Sequence, residues 1–196
     1  MNAPVSIVIL AAGLGTRMKS RKAKVLHRAG GRTLIGHVLS TARRLAPPER
    51  IFVVAGHQAE QVRQAVNDPA IGWIIQAEQK GTGHALISGR GQLSPLGGLL
   101  LVLYGDCPLA PAGTLEKLVQ AQAGSAGAAT FTTARLEDPT GYGRVLRDPG
   151  GRVVGIVEQR AASAEQLSIR EVNLGVYCFG SDLFWKHAGE IRPDNP

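Results

Sequence analysis

One segment, residues 7–26 (IVILAAGLGTRMKSRKAKVL), constrains the fold and the chemistry of this chain more than any other. It opens with an apolar run of the kind found in strands that are buried on both faces of a parallel sheet. The run ends at Gly13 and Gly15, and glycines allow a tight turn that brings backbone N–H groups close to a ligand. Arg17 and Lys24 add positive charge, so hydrogen bonding and charge both favour phosphate. The segment therefore predicts a nucleotide-binding site.

The spacing of these residues argues against two common phosphate-binding motifs. A P-loop needs Gly-Lys-Ser or Gly-Lys-Thr to close the turn, and neither is present here. The dinucleotide fingerprint needs a third glycine, and Met18 stands at that position. The combination LAAGxGTRM with a trailing Lys-Val-Leu is more specific. It resembles the signature of sugar-nucleotide pyrophosphorylases, which are nucleotidyltransferases that join a sugar 1-phosphate to an NTP.

The composition describes a globular chain with one sizeable core. At 196 residues the chain is short for two cores, and 44% hydrophobic with 19% charged residues is not the composition of a disordered protein. No apolar run reaches the roughly 18 residues that a membrane span requires, and no basic region precedes the first apolar run as in a signal peptide. Cys107 and Cys178 lack metal-ligand spacing, so we expect two buried, reduced thiols and a cytoplasmic location.

Positive charge is concentrated in the first 50 residues. They hold ten lysines and arginines and one acid, a net charge of +9, whereas the whole chain carries +7. Charge alone leaves a nucleic-acid binder open. Aromatic residues make up only 5% of the chain and none lies within the basic stretch, which disfavours stacking on single strands. We interpret Arg17 and Lys24 as phosphate ligands, and we interpret four other residues as a solvated face: Arg21, Lys22, Arg43 and Arg44.

Strand-like and helix-like stretches alternate along the first 123 residues. Apolar, β-branched runs predict strands at 5–12, 51–55, 71–76 and 99–103. Amphipathic patterns predict helices at 33–45, 58–66, 82–93 and 114–123. Alternation at these lengths is typical of βαβ units with right-handed crossovers. The predicted fold class is α/β, with a doubly wound, mostly parallel, Rossmann-like sheet.

The pattern changes after residue 123. Short strand signals at 126–136, 144–146, 152–157 and 172–179 are separated by turns. Ser163 and Gln166 have the spacing of a capping box, and Ser181 starts a final helix. We expect this half to be an antiparallel addition to the same sheet and to hold the second substrate. Residues 1–196 would then form a single domain.

A second candidate site follows the fourth predicted strand, at Tyr104, Gly105 and Asp106. In an open α/β sheet, ligands bind beyond the carboxyl ends of the strands, where this segment would meet the glycine loop. An ionised aspartate at the end of a buried strand needs compensation, and Mg²⁺ held by one or two carboxylates and by phosphate oxygens is usual in nucleotide chemistry. A structural role for Asp106 in capping the following loop is the alternative.

Seven motifs occur in order along the chain: LAAGLGTRM, KVLH, QAEQKGTGHA, YGDCPL, DPTGYGRV, GIVEQ and EVNLG. Their order and spacing resemble the bacterial N-acetylglucosamine-1-phosphate uridylyltransferase family over nearly the whole chain. The matching part is the N-terminal pyrophosphorylase domain of a bifunctional uridylyltransferase and glucosamine-1-phosphate acetyltransferase, a nucleotide-diphospho-sugar transferase fold. The resemblance implies formation of UDP-N-acetylglucosamine and pyrophosphate from UTP and N-acetylglucosamine 1-phosphate, a step towards cell-wall and lipopolysaccharide precursors.

The same resemblance implies a role for each matching residue. Arg17 and Lys24 would be catalytic, holding the triphosphate and stabilising charge on the α-phosphate and the leaving pyrophosphate. Asp106 would bind Mg²⁺, the implied cofactor. The nucleotide would contact the backbone of Leu10, Ala12, Gly13 and Gly15, and its uracil would be recognised by Gln76, Gly81 and Thr82. The sugar would contact Tyr104, Gly105, Gly143, Glu158 and Asn173.

Three departures from the family pattern bear on these expectations. Ala23 stands where the family usually has proline, so the loop before Lys24 loses a fixed φ. Leu174 follows Asn173 where the family commonly has threonine. In the family the domain continues beyond residue 196, with an asparagine metal ligand and a left-handed β-helix that carries acetyltransferase activity and drives trimerisation. We therefore expect a monomer without acetyl transfer, with impaired uridylyl transfer and with a final helix that lacks packing partners.

Other interpretations stay open. Enzymes of the same fold use other sugar 1-phosphates or belong to the molybdenum-cofactor nucleotidyltransferases, although the contexts of Gln76 and Asn173 argue against both. A module that binds nucleotide sugar without turnover, or a fragment that does not fold, is a different class of outcome. His57 and His84 have no role in the predicted chemistry, so we interpret both as structural. The expected partners are the two small-molecule substrates, with no nucleic acid and no membrane.

Overall fold

The computed structural model describes residues 3–13, 15, 18–20 and 22–191. They divide into two compact units: the described residues up to Thr130 and from Tyr177 onward form the first, and Phe131–Val176 form the second. Compactness does not report independent folding, so the expectation of a single domain over 1–196 stays a prediction. Among the described residues, no helix combines the length and the apolar character that crossing a bilayer requires.

Strands of the first unit form one sheet. They are β1 (Val5–Leu10), β4 (Ile51–Ala55), β5 (Gly72–Ile75), β6 (Leu99–Tyr104) and residues 177–180 of β10 (Glu171–Gly180). Their order is β5-β4-β1-β6-β10. The first four are parallel, with Ile7 opposite both Ile51 and Leu101, whereas β10 runs antiparallel to β6. Two short strands, β2 (Arg28–Ala29) and β3 (Arg32–Thr33), form a separate ribbon.

The central strands are continuous apolar runs because both of their faces are covered. Ile7, Val8 and Ile9 are fully buried, and every residue of β4 is buried. At the amino ends of the strands, the Arg50 guanidinium donates to the carbonyl oxygen of Val5 at 3.1 Å and thereby ties β1 to the turn before β4. The prediction of a mostly parallel α/β sheet is confirmed.

Seven α-helices lie in the described parts of the chain. They are α1 (Leu34–Ala42), α2 (Ala59–Val66), α3 (Thr82–Ile87), α4 (Arg90–Leu93), α5 (Ala112–Ala123), α6 (Ala164–Leu167) and α7 (Ser181–His187). α1 begins at Leu34 and not at Thr33, because the Thr33 hydroxyl caps the helix by accepting from the backbone N–H of Gly36 at 3.2 Å.

The single helix expected over 82–93 is wrong, because the chain breaks it into α3 and α4. Gly89 lies between them with φ −95° and ψ 5°. A Cβ at this position would lie 2.4 Å from the Cδ1 atom of Ile74 in β5. The absence of a side chain at Gly89 therefore lets the junction pack directly on the sheet.

The expectation that the final helix lacks packing partners is also wrong. Phe184 and Trp185 of α7 are 7% and 6% exposed, and they belong to the same core cluster as Ala85 and Leu86 of α3. Their rings also pack on each other, with centroids 4.8 Å apart in an edge-on arrangement. The helix is therefore an integral part of the first unit.

The second unit is antiparallel. β8 (Arg144–Arg147) pairs with β9 (Val153–Val157) and, through Arg144 and Val172, with the first part of β10, while β7 (Ala129–Arg135) also pairs with β10. The predicted capping box opens α6: Ser163 Oγ accepts from the N–H of Gln166 at 3.2 Å, and Gln166 Oε1 accepts from the N–H of Ser163 at 2.9 Å. The antiparallel character expected for this half is confirmed.

Candidate active site

A cavity of about 500 Å³ opens at the carboxyl ends of the parallel strands of the first unit, where ligands bind in sheets of this kind. Every nucleotide-binding residue predicted from the sequence lines it, together with Lys24, Tyr104 and Asp106. The full lining is Leu10, Ala11, Ala12, Gly13, Gly15, Met18, Lys24, Val25, Gln76, Gln79, Gly81, Thr82, Ala85, Tyr104 and Asp106. Arg17, predicted to be catalytic, lies outside the described residues.

Three glycines shape the cavity in different ways. Gly15 has φ +59°, and a Cβ there would lie 3.0 Å from the Cβ of Lys24, so both its conformation and its packing require glycine. Gly13 has no atom within 4 Å of its Cβ position, which leaves the space beside it open to a ligand. Gly105 lies behind the lining, where its N–H donates to the Leu10 carbonyl at 2.9 Å and joins the ends of β6 and β1.

A cation and a carboxylate meet at the cavity. Lys24 Nζ lies 2.5 Å from Asp106 Oδ2. Lys24 begins a 3-10 turn whose next two residues, Val25 and Leu26, are buried and anchor it. Asp106 follows β6 after one residue, so the strand fixes its position. The pair offers positive charge to a phosphate and an oxygen ligand to a cation.

The carboxylate of Asp106 fits a divalent cation only together with further oxygen ligands. It is the one carboxylate among the described residues that line the cavity. The described part of the chain contains no group of three or more His, Cys, Asp or Glu side chains that could hold a metal ion. Mg²⁺ commonly takes one or two carboxylates and completes its shell with water and substrate phosphates. The residues present therefore fit a cation that binds together with a polyphosphate.

The two cysteines differ in exposure. Cys107 follows Asp106 in the turn after β6 and is exposed, so the expectation that both thiols are buried is wrong for it, whereas Cys178 is buried. Both are free. Partial desolvation and the neighbouring Asp106 carboxylate raise the pKa of Cys107, and burial raises the pKa of Cys178 to about 12. Neither thiol is therefore an activated nucleophile at neutral pH.

Gln76 stands at the end of β5 with only 5% of its surface exposed. Its backbone N–H donates to the Ala55 carbonyl at 2.9 Å and extends the pairing with β4. Its side-chain Nε2 donates to the Gly81 carbonyl at 3.2 Å and lies 3.2 Å from Nδ1 of His84. These contacts close the loop between β5 and α3 and hold the amide at the cavity wall.

Gln79 lines the cavity although it was not among the predicted site residues. Its Nε2 donates to the Ala12 carbonyl at 2.5 Å, which connects the loop after β5 with the glycine loop. The available signal was its place in the motif of residues 76–85, three positions after Gln76. Apolar contributions from Met18 and Val25 were missed as well, although the two residues lie within the motifs LAAGLGTRM and KVLH.

Three of the predicted sugar-binding residues meet in the second unit. The backbone N–H of Asn173 donates to the Gly143 carbonyl at 2.9 Å. A Cβ at Gly143 would lie 3.1 Å from Oε1 of Glu158, so glycine leaves room for that carboxylate. Asn173 Oδ1 accepts from the N–H of Gly175 at 2.9 Å. The other two predicted sugar-binding residues, Tyr104 and Gly105, belong to the first unit.

A buried arginine supports this cluster. Arg144 is 2% exposed, and its guanidinium donates to the Tyr142 carbonyl and, at 3.1 Å, to Oε1 of Gln159. The same Gln159 oxygen accepts from the backbone N–H of Gly141 at 2.7 Å. Arg144 and Gln159 therefore fix the backbone of the loop that leads into Gly143. The arginine belongs to the sequence motif DPTGYGRV, but the resemblance implied no role for it.

Comparison with protein families and curated proteins adds to this geometry. A family model described as a MobA-like NTP transferase domain matches residues 7–168. The chain is 59% identical over 196 residues to the bifunctional protein GlmU of Solibacter usitatus (strain Ellin6076) and 53% identical over 192 residues to that of Burkholderia ambifaria (strain MC40-6). These alignments cover 100% and 97% of this chain but 42% and 41% of the relatives. The chain thus spans about two fifths of the length of these relatives.

Solved structures resemble the fold of the chain. A mannose-1-phosphate geranyltransferase from Thermus thermophilus superposes with a TM-score of 0.76 and 25% identity, covering 94% of this chain and 61% of that one. A 4-diphosphocytidyl-2C-methyl-D-erythritol synthase from Anaerococcus prevotii superposes with a TM-score of 0.66 and 19% identity, covering 96% of this chain and 74% of that one. This likeness shows the fold alone.

The family assignment rests on both the site and the comparisons. The glycine loop, Lys24 and Asp106 lie together at the carboxyl edge of a mostly parallel sheet. The resemblance indicated by the seven sequence motifs is confirmed by the curated relatives. The family model covers most of the chain. This chain belongs to the family of MobA-like NTP transferase domains.

Proposed function

We propose that this chain is a uridylyltransferase that forms UDP-N-acetylglucosamine and pyrophosphate from UTP and N-acetylglucosamine 1-phosphate. One observation carries the proposal: the glycine loop, the Lys24–Asp106 pair and the Gln76 amide line a single cavity. That cavity offers cationic and N–H groups to phosphate and an amide to a base edge. Membership of an NTP transferase family and 59% identity to a bifunctional protein GlmU support the proposal.

The proposed reaction needs no general base, because the sugar phosphate is already an anionic nucleophile at neutral pH. One of its oxygens attacks the α-phosphorus of UTP in line, the new P–O bond forms, and the bond from that phosphorus to pyrophosphate breaks. Two polyanions must meet for this to occur, so catalysis consists of positioning and charge neutralisation. Lys24 supplies a cation at the phosphates, and Arg17 is proposed to supply another.

Asp106 is proposed to hold Mg²⁺ together with phosphate oxygens of the bound nucleotide. The cation would supply charge neutralisation at the phosphates. Asp106 also orients the Lys24 ammonium, at 2.5 Å. The carboxylate would thus keep the lysine side chain at the cavity until phosphates compete for it.

Sugar recognition is proposed to fall to Gly143, Glu158 and Asn173, with Tyr104 and Gly105. Carboxylate and amide oxygens accept from sugar hydroxyls, and an amide N–H₂ donates to them. The Gly143 position without a side chain leaves the Glu158 carboxylate close to the backbone. We also propose that UTP and the sugar phosphate are the partners of this chain and that it works in the cytoplasm.

Calorimetric titration tests the proposal most directly. We expect UDP-N-acetylglucosamine to bind at least about fivefold more tightly than UDP-glucose or GDP-mannose, since each lost hydrogen bond costs about 1 kcal/mol. Circular dichroism confirms that the chain is folded. Preference for GDP-mannose, or no binding by a folded chain, contradicts the assignment of base and sugar.

Turnover is tested by pyrophosphate release from UTP and N-acetylglucosamine 1-phosphate. We expect release to require Mg²⁺, to stop on chelation, and to need more Mg²⁺ in Asp106→Asn, which keeps the size of the side chain and removes its charge. Glu116→Gln, on the exposed face of α5, is the matched control. Selective binding without pyrophosphate release would indicate a nucleotide-sugar-binding module.

Size-exclusion chromatography with light scattering tests the predicted monomer.

A further inference from the structure

The side-chain amide of Gln76 has two N–H hydrogens and two neighbours that can accept them. Nε2 lies 3.2 Å from the Gly81 carbonyl oxygen and 3.2 Å from Nδ1 of His84. The Gln76 side chain is almost wholly buried, so its NH₂ group has little access to water. Both hydrogens are therefore donated to acceptors within the protein.

This arrangement fixes the orientation of the amide and the tautomer of the imidazole. A carbonyl oxygen can only accept, so the amide must turn its NH₂ group, and not its oxygen, toward Gly81. The same NH₂ group then faces Nδ1 of His84, which must carry a lone pair. The proton of the neutral ring accordingly sits on Nε2 of His84.

The orientation decides which polar atom Gln76 offers to the cavity. With NH₂ committed to Gly81 and His84, the atom that remains is the carbonyl oxygen Oε1, an acceptor. Uracil carries an N3–H donor on its base-pairing edge, whereas cytosine carries a lone pair at N3. The Oε1 acceptor, fixed in the buried wall, pairs with the N3–H of uracil. It repels the N3 lone pair of cytosine and is left unpaired beside it, which is costly for a buried acceptor.

We infer that His84 is a specificity-determining positioning residue: by accepting from Gln76 it keeps the amide oxygen toward the base and so favours uridine over cytidine nucleotides. The inference rests on the proposed function, since it assumes that the cavity holds the base. It changes the interpretation of His84 as purely structural. It leaves the exposed His57, which is not part of the cavity lining, with that interpretation.

Two substitutions at one position separate this role from simple packing. His84→Leu keeps a side chain of comparable bulk but removes the acceptor, so Gly81 alone holds the amide. His84→Asn places a side-chain oxygen near the position of Nδ1 and restores the acceptor. The readout is the ratio of the dissociation constants for CTP and UTP, measured by calorimetry on the whole chain, with His57→Leu as control and circular dichroism as the check of folding.

We expect His84→Leu to lower the preference for UTP about fivefold, the worth of one hydrogen bond, and His84→Asn and His57→Leu to keep it. Equal weakening of UTP and CTP in His84→Leu, with the ratio unchanged, would overturn the inference and leave the proposed function standing. A wild-type chain without preference for UTP would overturn both. Nitrogen NMR of the wild-type chain is independent of the variants: a protonated Nδ1 at His84 would also overturn the inference.

Discussion

The ammonium group of Lys24 lies 2.5 Å from a carboxylate oxygen of Asp106, and this pair connects the turn after the glycine loop with the end of β6. Both side chains keep solvent exposure, 44% for Lys24 and 23% for Asp106. Ion pairs exposed to this degree contribute about 0–1 kcal/mol to stability. The pair therefore adds little to the stability of the fold, and its place at the cavity agrees with the phosphate-binding role proposed for it.

Replacement of Lys24 separates its contribution to stability from its proposed contribution to catalysis. We expect Lys24→Ala to lower kcat/KM for uridylyl transfer about 100- to 1000-fold, the loss typical for one group that stabilises transition-state charge. The free energy of unfolding would change by less than about 1 kcal/mol, because the ion pair is exposed. Pyrophosphate release and urea unfolding measure the two quantities.

Lys22→Ala is the matched control for this prediction. Lys22 is exposed, lies two residues from Lys24 and is absent from the cavity lining, so its removal deletes the same charge outside the site. Equal losses of activity in both variants would indicate a general effect of basic charge. Wild-type turnover by Lys24→Ala would remove the lysine from the mechanism.

Much of the fold could be predicted because its signals are local. β4 has the bounds expected from the sequence, Ile51–Ala55, since a short apolar run between turn residues is a strand signal by itself. The break at Gly89 and the burial of Trp185 depend on contacts with Ile74 and with α3, which are distant in sequence. Periodicity within a window carries no information about such partners.

In the candidate site, too, some features could be predicted from the sequence and others could not. Gly15 and Lys24 belong to one motif, so the sequence indicated that they act together. Gln79 donates to Ala12 across 67 positions of sequence, and that bond depends on the fold alone. The contacts of the Gln76 NH₂ group with Gly81 and His84 likewise exist only in the folded loop.

Arg144 supports a prediction about sugar recognition. Lysine cannot reproduce the fork that joins the Tyr142 carbonyl to Gln159, so we expect Arg144→Lys to loosen the loop before Gly143. The KM for N-acetylglucosamine 1-phosphate would rise about fivefold, the equivalent of roughly one hydrogen bond, while the KM for UTP would stay unchanged. Steady-state kinetics with each substrate varied in turn measure both constants.

The control for Arg144 is Arg152→Lys, in the exposed pair with Asp148, where 86% of the arginine side chain is accessible. This variant should leave both constants unchanged. If Arg144→Lys raised both KM values equally, the arginine would act on the whole fold and not on the loop before Gly143.

Ala23 offers a stabilising substitution. Its φ of −52° lies within the range that proline adopts, and it directly precedes the turn that carries Lys24. We expect Ala23→Pro to raise the free energy of unfolding by about 0.4–1 kcal/mol, because the unfolded chain loses conformations. Ala121→Pro, inside α5, is the opposing control and should destabilise the protein by about 3 kcal/mol. A lower melting temperature for Ala23→Pro would show that the ring does not fit.

The lowered pKa of Glu171 predicts how the stability of the protein depends on pH. The Arg147 guanidinium donates to both of its carboxylate oxygens, at 2.8 and 2.6 Å, and this bond lowers the pKa of Glu171 from 4.5 to about 2. Because the folded-state pKa lies below the unfolded one, the stabilisation is fully present above pH 4.5 and is lost as the pH falls toward 2.

Urea unfolding between pH 7 and pH 2.5 measures this contribution. We expect Glu171→Gln to be less stable than the wild type at pH 7 and to lose less stability on acidification, so the two curves converge at low pH. Glu165→Gln, at an exposed position in α6, should run parallel to the wild type. Parallel curves for Glu171→Gln and the wild type would instead mean that the Arg147–Glu171 pair is equally strong in the unfolded chain or contributes nothing in the folded one.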